Sequence, residues 1–379
     1  MKAIINGKIV LPDRVVEDSA LVYDEKIVGL IPRDVLAEDT ELIDAEGDYV
    51  SPGFVDIHIH GYLGADVSDG DAAGVRTMAE GVLKNGVTAF LPTTMTVSAE
   101  EINAALDAVR SVKGESERWA GARILGVNLE GPFINPKKKG AQAEEHIKKP
   151  DAAFIKKNSD IIRLATIAPE MDENCAAIRE ITSETDVRVS IGHTDATYEQ
   201  AMEGIAAGAT HVTHLFNAQT PLHHRKPGVV GAALKADVYT ELIADTFHVH
   251  PGLFGLVYGI KRGKLVLITD CTRAGGMPDG EYSLGGQKTF VKGIQCLLED
   301  GTIAGSVLKL NAAVKNLVDH AGITVPEAVA CASLNPARAI RADGECGSLE
   351  AGKRADIIIF DKDINVKKSI IAGEVRYEA

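Results

Sequence analysis

Apolar runs of strand length recur along the middle of the chain at 54–60, 87–92, 124–130, 161–167, 187–193, 210–216, 242–248 and 265–270, eight in all. Most of the intervals between them read as helices. Two of those helices have explicit starts. Ser98-Ala99-Glu100-Glu101 and Thr197-Tyr198-Glu199-Gln200 each place an acidic or amide side chain three residues after a hydroxyl, the pattern of a capping box. Gly208 suits the position just past the end of the second helix. Near-continuous apolar strands alternating with helices predict parallel strands covered on both faces, and eight such units predict an α/β fold, a (β/α)8 TIM-type barrel over 53–344. A doubly wound open sheet is the alternative, but it requires a Gly-rich phosphate turn after its first strand, and none follows residue 60. The ends are patterned differently, with short β-type runs at 2–10 and 20–31, the second broken by a turn at Asp24-Glu25. Similar runs return at 355–361 and 368–377. They predict that 1–52 and 345–379 pair into one small β domain.

Composition narrows the setting. A chain of 379 residues, 45% of them hydrophobic, can bury one large core and a smaller one. No apolar run approaches the roughly 20 residues that span a bilayer. The opening Met1-Lys2-Ala3-Ile4-Ile5-Asn6 lacks the apolar region and cleavage site of a signal peptide, so a cytoplasmic location is expected. Five widely spaced cysteines, an odd number without a C-x-x-C pair, point to reduced thiols. A net charge of −14 disfavours nucleic acid and anionic membranes as partners. An anionic substrate would have to meet a local basic patch.

The candidate chemistry lies at the C-terminal ends of the predicted strands, where a barrel opens its active site. In Pro52-Gly53-Phe54-Val55-Asp56-Ile57-His58-Ile59-His60-Gly61 the alternation of a strand sends Asp56, His58 and His60 to one side. Two histidines in that relation form half of a metal site or, alternatively, a pair of hydrogen-bonded core residues. Later strand ends supply Glu130, His193, His214 and Asp270. Singly, Glu130 could pair at a rim and His193 could open a helix. Together, imidazoles and carboxylates suit Zn²⁺ or Fe²⁺ better than the all-oxygen shell of Ca²⁺. Such an ion lowers the pKa of a water from 15.7 towards about 7, and Asp270 is placed to take the water's proton. A serine nucleophile is the weaker idea, because no G-x-S-x-G elbow is present.

Several blocks resemble the N-acetylglucosamine-6-phosphate deacetylases, a family within the amidohydrolase superfamily. They are Pro52 to Gly61, Leu129-Glu130-Gly131-Pro132-Phe133, Leu164 to Glu170, Gly192-His193-Thr194-Asp195-Ala196 and Thr213-His214-Leu215-Phe216-Asn217-Ala218. His224 to Gly228, Ala244 to Val249, Ile268-Thr269-Asp270 and Gly347 to Asp356 extend the likeness over nearly the whole chain. The resemblance implies a (β/α)8 barrel with a small β-sandwich built from both termini. It also implies metal-dependent hydrolysis of N-acetyl-D-glucosamine 6-phosphate to D-glucosamine 6-phosphate and acetate. Glu130, His193 and His214 become the primary ligands, His58 and His60 permit a second ion, and Asp270 is the catalytic base. The fourth strand, 161–170, carries no lysine, so Glu130 takes the role that a carboxylated lysine has elsewhere in the superfamily.

Substrate contacts are implied at Ala141, Gln142, Asn217, Ala218, Arg225, His248 and Leu308. Gln142 stands where some relatives carry a histidine, and can donate a hydrogen bond but not a charge. Of two basic runs, Lys137-Lys138-Lys139 reads as a solvated loop. His223-His224-Arg225-Lys226 is the better phosphate clamp, since Arg225 offers a planar fork. By resemblance Arg225 reaches the neighbouring subunit's site, which implies a homodimer. Cys271 reads as a packed thiol, and His146, His211, His250 and His320 as structural or exposed. An N-acyl amino acid or cyclic amide hydrolase, and a barrel that has lost its chemistry, are the alternatives.

Overall fold

The computed structural model describes residues 1–379. Eight parallel strand positions form its centre: β1 (Phe54–Ile59), β2 (Val87–Pro92), β3 in two pieces (Arg123–Ile124 and Val127–Leu129), β4 (Ile162–Ile167), β5 (Arg188–Ile191), β6 (His211–Val212), β7 (Tyr239–Ile243) and β8 (Leu265–Ile268). The first piece of β3 pairs with β2 and β2 with β1; the second piece opens a run in which β3 to β8 pair in sequence order. Single bridges join the two sheets, Thr93 to Asn128 on one side and Ile59 to Cys271 on the other. The curl therefore brings β1 beside β8, with the Asp270 amide donating to His58 O at 2.9 Å and the His60 amide to Cys271 O at 2.8 Å. β1 and β2 are buried at every position, as their unbroken apolar runs require. Helices including Ala99–Lys113 and Tyr198–Ala206, each begun by the expected capping box, cover the outer face. The core they enclose holds 89 buried residues.

Four expectations need correction. The strands stop short of the ligands: β5, β6 and β8 end two residues before His193, His214 and Asp270, whose φ angles are +46°, +24° and +50°. A pleated strand would send alternate side chains outward, so the chain must turn into the left-handed region to aim these groups into the mouth. The seventh strand lies earlier than the expected 242–248 and includes Glu241. β3 is interrupted at Gly126, whose φ of +152° and clearance leave no room for a side chain: a Cβ there would lie 2.4 Å from Arg163 Cγ. After β8 comes a meander absent from the eightfold reading, with strands Gly280–Leu284, Gln287–Lys292 and Gln295–Leu298. Its first turn is Gly285-Gly286, both at positive φ.

The chain ends meet in two further sheets. One contains Lys2–Ile5, Ser19–Tyr23, Ile27–Pro32 and Glu41–Asp44; the other runs Glu374–Glu378, Val366–Ile371, Ile357–Phe360, Tyr49–Pro52, Lys8–Val10 and Val15–Val16. Ile357 pairs with Pro52 and Ile359 with Val50, so N- and C-terminal strands lie side by side. A separate core of 12 buried residues, Ile4, Tyr23, Ile357 and Ile370 among them, lies between the two sheets. Tyr49–Pro52 runs almost directly into β1, which anchors the first ligand strand to this domain.

Candidate metal centre

The six polar residues expected at the strand ends converge. Glu130, His193 and His214 form one group, and His58, His60 and Asp270 another, with the ligand atoms of each group within 4.8 Å of one another. Glu130 joins the groups. Its Oε1 lies 3.2 Å from His193 Nε2, 3.1 Å from His214 Nε2 and 3.3 Å from His58 Nε2, and its Oε2 lies 3.3 Å from His60 Nε2. Asp270 Oδ1 is 3.1 Å from His60 Nε2 and 3.5 Å from His58 Nε2. All six residues are buried.

The opposite ring nitrogens explain the orientation. Nδ1 of His60 faces Thr93 O at 3.3 Å, that of His193 faces Lys138 O at 2.8 Å, and that of His214 faces Asn217 O at 3.2 Å. Nδ1 of His58 faces Glu241 Oε2 at 3.0 Å. Carbonyl and carboxylate oxygens only accept, so each Nδ1 carries a proton and each Nε2 is left to ligate. The Nε2 atoms of His193 and His214 lie 3.1 Å apart, where two lone pairs repel unless a proton or cation sits between them. His58 Nε2 is buried without a hydrogen-bond partner. The nitrogen-rich donor set, its tautomers and this orphaned atom fit a divalent cation of the Zn²⁺ or Fe²⁺ kind.

Without a cation the cluster holds protons instead. Burial opposes charge on His58, but Glu130 and Glu241 more than offset it and raise its pKa well above the usual value. His60 is likewise opposed by burial and is raised to about 9 by its contacts with Asp270 and Glu130. Burial would raise Asp270, yet the hydrogen bond from His60 and the charges of His58 and His60 bring it down to about 2. Glu130, also against burial, is held well below the ordinary carboxylate range, chiefly by His193 and His58. Both acids are therefore ionised at neutral pH.

The cluster opens on a cavity of about 400 Å³ lined by Ala141, Gln142, Asn217, Ala218 and His248 as well as by His60, Glu130, His193, His214 and Asp270. His248 is fixed by Asp245, whose Oδ2 lies 2.6 Å from its Nδ1. Gln142 is committed elsewhere than expected: its Nε2 donates to Glu130 Oε2 at 2.8 Å and its Oε1 accepts from the Thr96 amide at 2.6 Å, so it braces a ligand. Lys137 and Lys138 stand at the cavity and flank Asp195 at 3.3 Å and 3.8 Å, with the Lys137 side chain exposed as expected of a solvated loop. Leu308 is buried and does not line the cavity; its amide donates to Ser306 Oγ. Arg225 is exposed, beside His224, in a separate hollow with Asp195, Tyr198 and Lys226. Within one chain the structure does not bring Arg225 to the cluster. Cys271 is fully buried, as a packed thiol should be. Sequence reasoning missed Glu241 and Asp245; the signal for Glu241 was a carboxylate inside the apolar run Leu242-Ile243-Ala244 and its flank.

A buried nitrogen and carboxylate ligand set, opening on a cavity at the C-terminal ends of parallel strands, is the arrangement of a metal-dependent hydrolase. The chain belongs to the amidohydrolase family, whose family model matches residues 49–376. It is 40% identical over 333 residues to the N-acetylglucosamine-6-phosphate deacetylase of Bacillus subtilis (strain 168), covering 86% of this chain and 84% of that protein. It is 38% identical to the N-acetylgalactosamine-6-phosphate deacetylase of Escherichia coli O157:H7, covering 91% and 90%. The crystal structure of N-acetylglucosamine-6-phosphate deacetylase from Pasteurella multocida superposes with a TM-score of 0.95 at 32% identity, over 100% of both chains.

Proposed function

We propose that this protein is a divalent-metal-dependent deacetylase that hydrolyses N-acetyl-D-glucosamine 6-phosphate to D-glucosamine 6-phosphate and acetate in the cytoplasm, as a step of amino-sugar catabolism. The observation that carries the reading is the sharing of Glu130 by two ligand groups that open on the cavity. Residues 53–344 supply this centre as a (β/α)8 barrel, and 1–52 with 345–379 form a β-sandwich against it. Glu130, His193 and His214 would hold Zn²⁺ or Fe²⁺, and His58 and His60 would hold a second ion. When bound, the ion supplies Lewis acidity and an acidified water.

The chain's own groups do the rest. Asp270, ionised and lining the cavity, accepts the attacking water's proton and delivers it to the departing sugar nitrogen, which leaves poorly unless protonated. His248, held by Asp245, and Asn217 with the Ala218 amide orient the sugar from the cavity wall. Ala141 and Gln142 also line the cavity, and Gln142 acts chiefly by keeping Glu130 in place. The 6-phosphate needs a forked cation, and Arg225 lies outside its own chain's cavity; in a homodimer it serves the neighbouring site. No helix is long and apolar enough to cross a membrane.

The relative from Escherichia coli favours a second reading in which the substrate is the C4 epimer, N-acetylgalactosamine 6-phosphate. Release of acetate from both 6-phosphates and from unphosphorylated N-acetylglucosamine tests the proposal. The glucosamine derivative should have the highest kcat/KM, and the unphosphorylated sugar the lowest. Preference for the galactosamine derivative replaces the first reading with the second, and equal use of the unphosphorylated sugar contradicts both.

A further inference from the structure

Glu241 belongs to neither ligand group, yet it is wholly buried in the middle of β7, a position where an ionisable side chain is costly unless its lone pairs are used. One oxygen, Oε2, takes two contacts: His58 Nδ1 at 3.0 Å and the His214 backbone amide at 3.1 Å. The other, Oε1, has no partner. The rings of His60, His193 and His214 are each turned by a backbone carbonyl. His58 alone is turned by a side chain, and that side chain can be replaced. Since Asn217 O orients the His214 ring independently, removing Glu241 acts unequally on the two ligand groups.

We propose that Glu241 is the positioning residue of the His58–His60–Asp270 group: it keeps a proton on His58 Nδ1 and Nε2 turned to the ligand cluster, and through the His214 amide it sets the distance to the Glu130–His193–His214 group. This rests on the two-ion reading above. Glu241 touches neither the cavity nor an ion; it acts through His58. Outer partners of ligating histidines contribute to ion affinity by fixing ring and tautomer, and a carboxylate also makes the ring a better donor.

The test titrates metal-free protein with Zn²⁺ against a chelating indicator. Wild type should take up two ions per chain. Glu241→Leu fills the space without an acceptor and should weaken the second ion by about 10–100-fold while leaving the first within about threefold. Glu241→Gln keeps an oxygen for both contacts and should recover most of that loss. Selective ¹⁵N-histidine spectra should show a hydrogen-bonded Nδ1 proton on His58 that is lost in Glu241→Leu, a signature that a general packing defect would not produce. If Glu241→Leu does not fold, wild type and Glu241→Gln decide, because the same proton should shift when its acceptor changes from carboxylate to amide. Wild-type affinity for both ions in Glu241→Leu, equal weakening of both, or a His58 Nδ1 without a proton would overturn the proposal. Uptake of only one ion by wild type would instead refute the two-ion reading, and the His58 proton would still decide the role of Glu241.

Discussion

Four imidazoles present Nε2 to Glu130 because their Nδ1 atoms are claimed by oxygens that cannot donate. That residue-level fact ties metal uptake to pH. In the metal-free protein His60 titrates near 9 and is protonated at neutral pH, while a ligating His60 must be neutral. Ion binding at pH 7 should therefore release protons, counted by calorimetry in buffers of different ionisation enthalpy. Apparent affinity should climb from pH 7 to about 9 and then flatten. The metal-free fold behaves oppositely: a histidine raised above its unfolded value contributes stability that is complete below about 6.5 and is lost as pH rises through about 9. Affinity flat across this range, without proton release, would show that the imidazoles are already neutral. The ligand residues themselves were legible in the sequence, because histidine and acid recur at one end of successive apolar runs. Glu241 was not, because a charge inside an apolar run shortens the apparent strand.

At the scale of elements, the sequence shows the rhythm of strand and helix but not where each strand stops. β5, β6 and β8 give way to left-handed backbone at His193, His214 and Asp270, strain of about 1–3 kcal/mol per residue that local propensity does not disclose. The Gly285-Gly286 meander was hidden for another reason: its strands are half-exposed and follow an eightfold pattern that the chain had already completed. Gly131, just after Glu130, offers a test of how the loops hold the ligands. Its φ is +77°, and a Cβ there would meet Thr96 Oγ1 at 2.1 Å; the Thr96 amide in turn holds Gln142, which holds Glu130. Gly131→Ala should lower stability by about 1–3 kcal/mol and also weaken ion binding. Gly64→Ala, at φ +86° with nothing within 4 Å, should show backbone strain alone. Thermal unfolding and ion titration of both variants distinguish them; equal ion affinities would mean that the Thr96–Gln142 relay does not support Glu130.

Across the whole molecule, the pairing of both chain ends was legible because short β-type runs without helices between them stand at the two ends, whereas assembly leaves little trace in one chain. Arg225 shows the gap: its fork suits phosphate, yet it lies in a hollow apart from the ligand cluster. Arg225→Ala should raise KM for the phosphorylated sugar by about 10–100-fold, the worth of charge-assisted hydrogen bonds, and change use of the unphosphorylated sugar little. Mixing it with Asp270→Asn, itself expected to lose about 10²–10⁴-fold in turnover, should restore one working site per heterodimer. Heterodimers no more active than their parents would mean either that Arg225 serves its own subunit or that the phosphate is held elsewhere, with Lys137 to Lys139 the next candidates, two of them on the cavity wall. Divalent cations held by Glu130 and the four histidines should drive removal of acetate from the phosphorylated sugar. The most direct test is the ion content and acetate release of protein purified without chelators, measured before stripping, after stripping and after Zn²⁺ or Fe²⁺ is returned. Two ions per chain are expected, with activity that disappears with them and returns as they rebind; full turnover by the stripped protein would rule out metal-dependent hydrolysis.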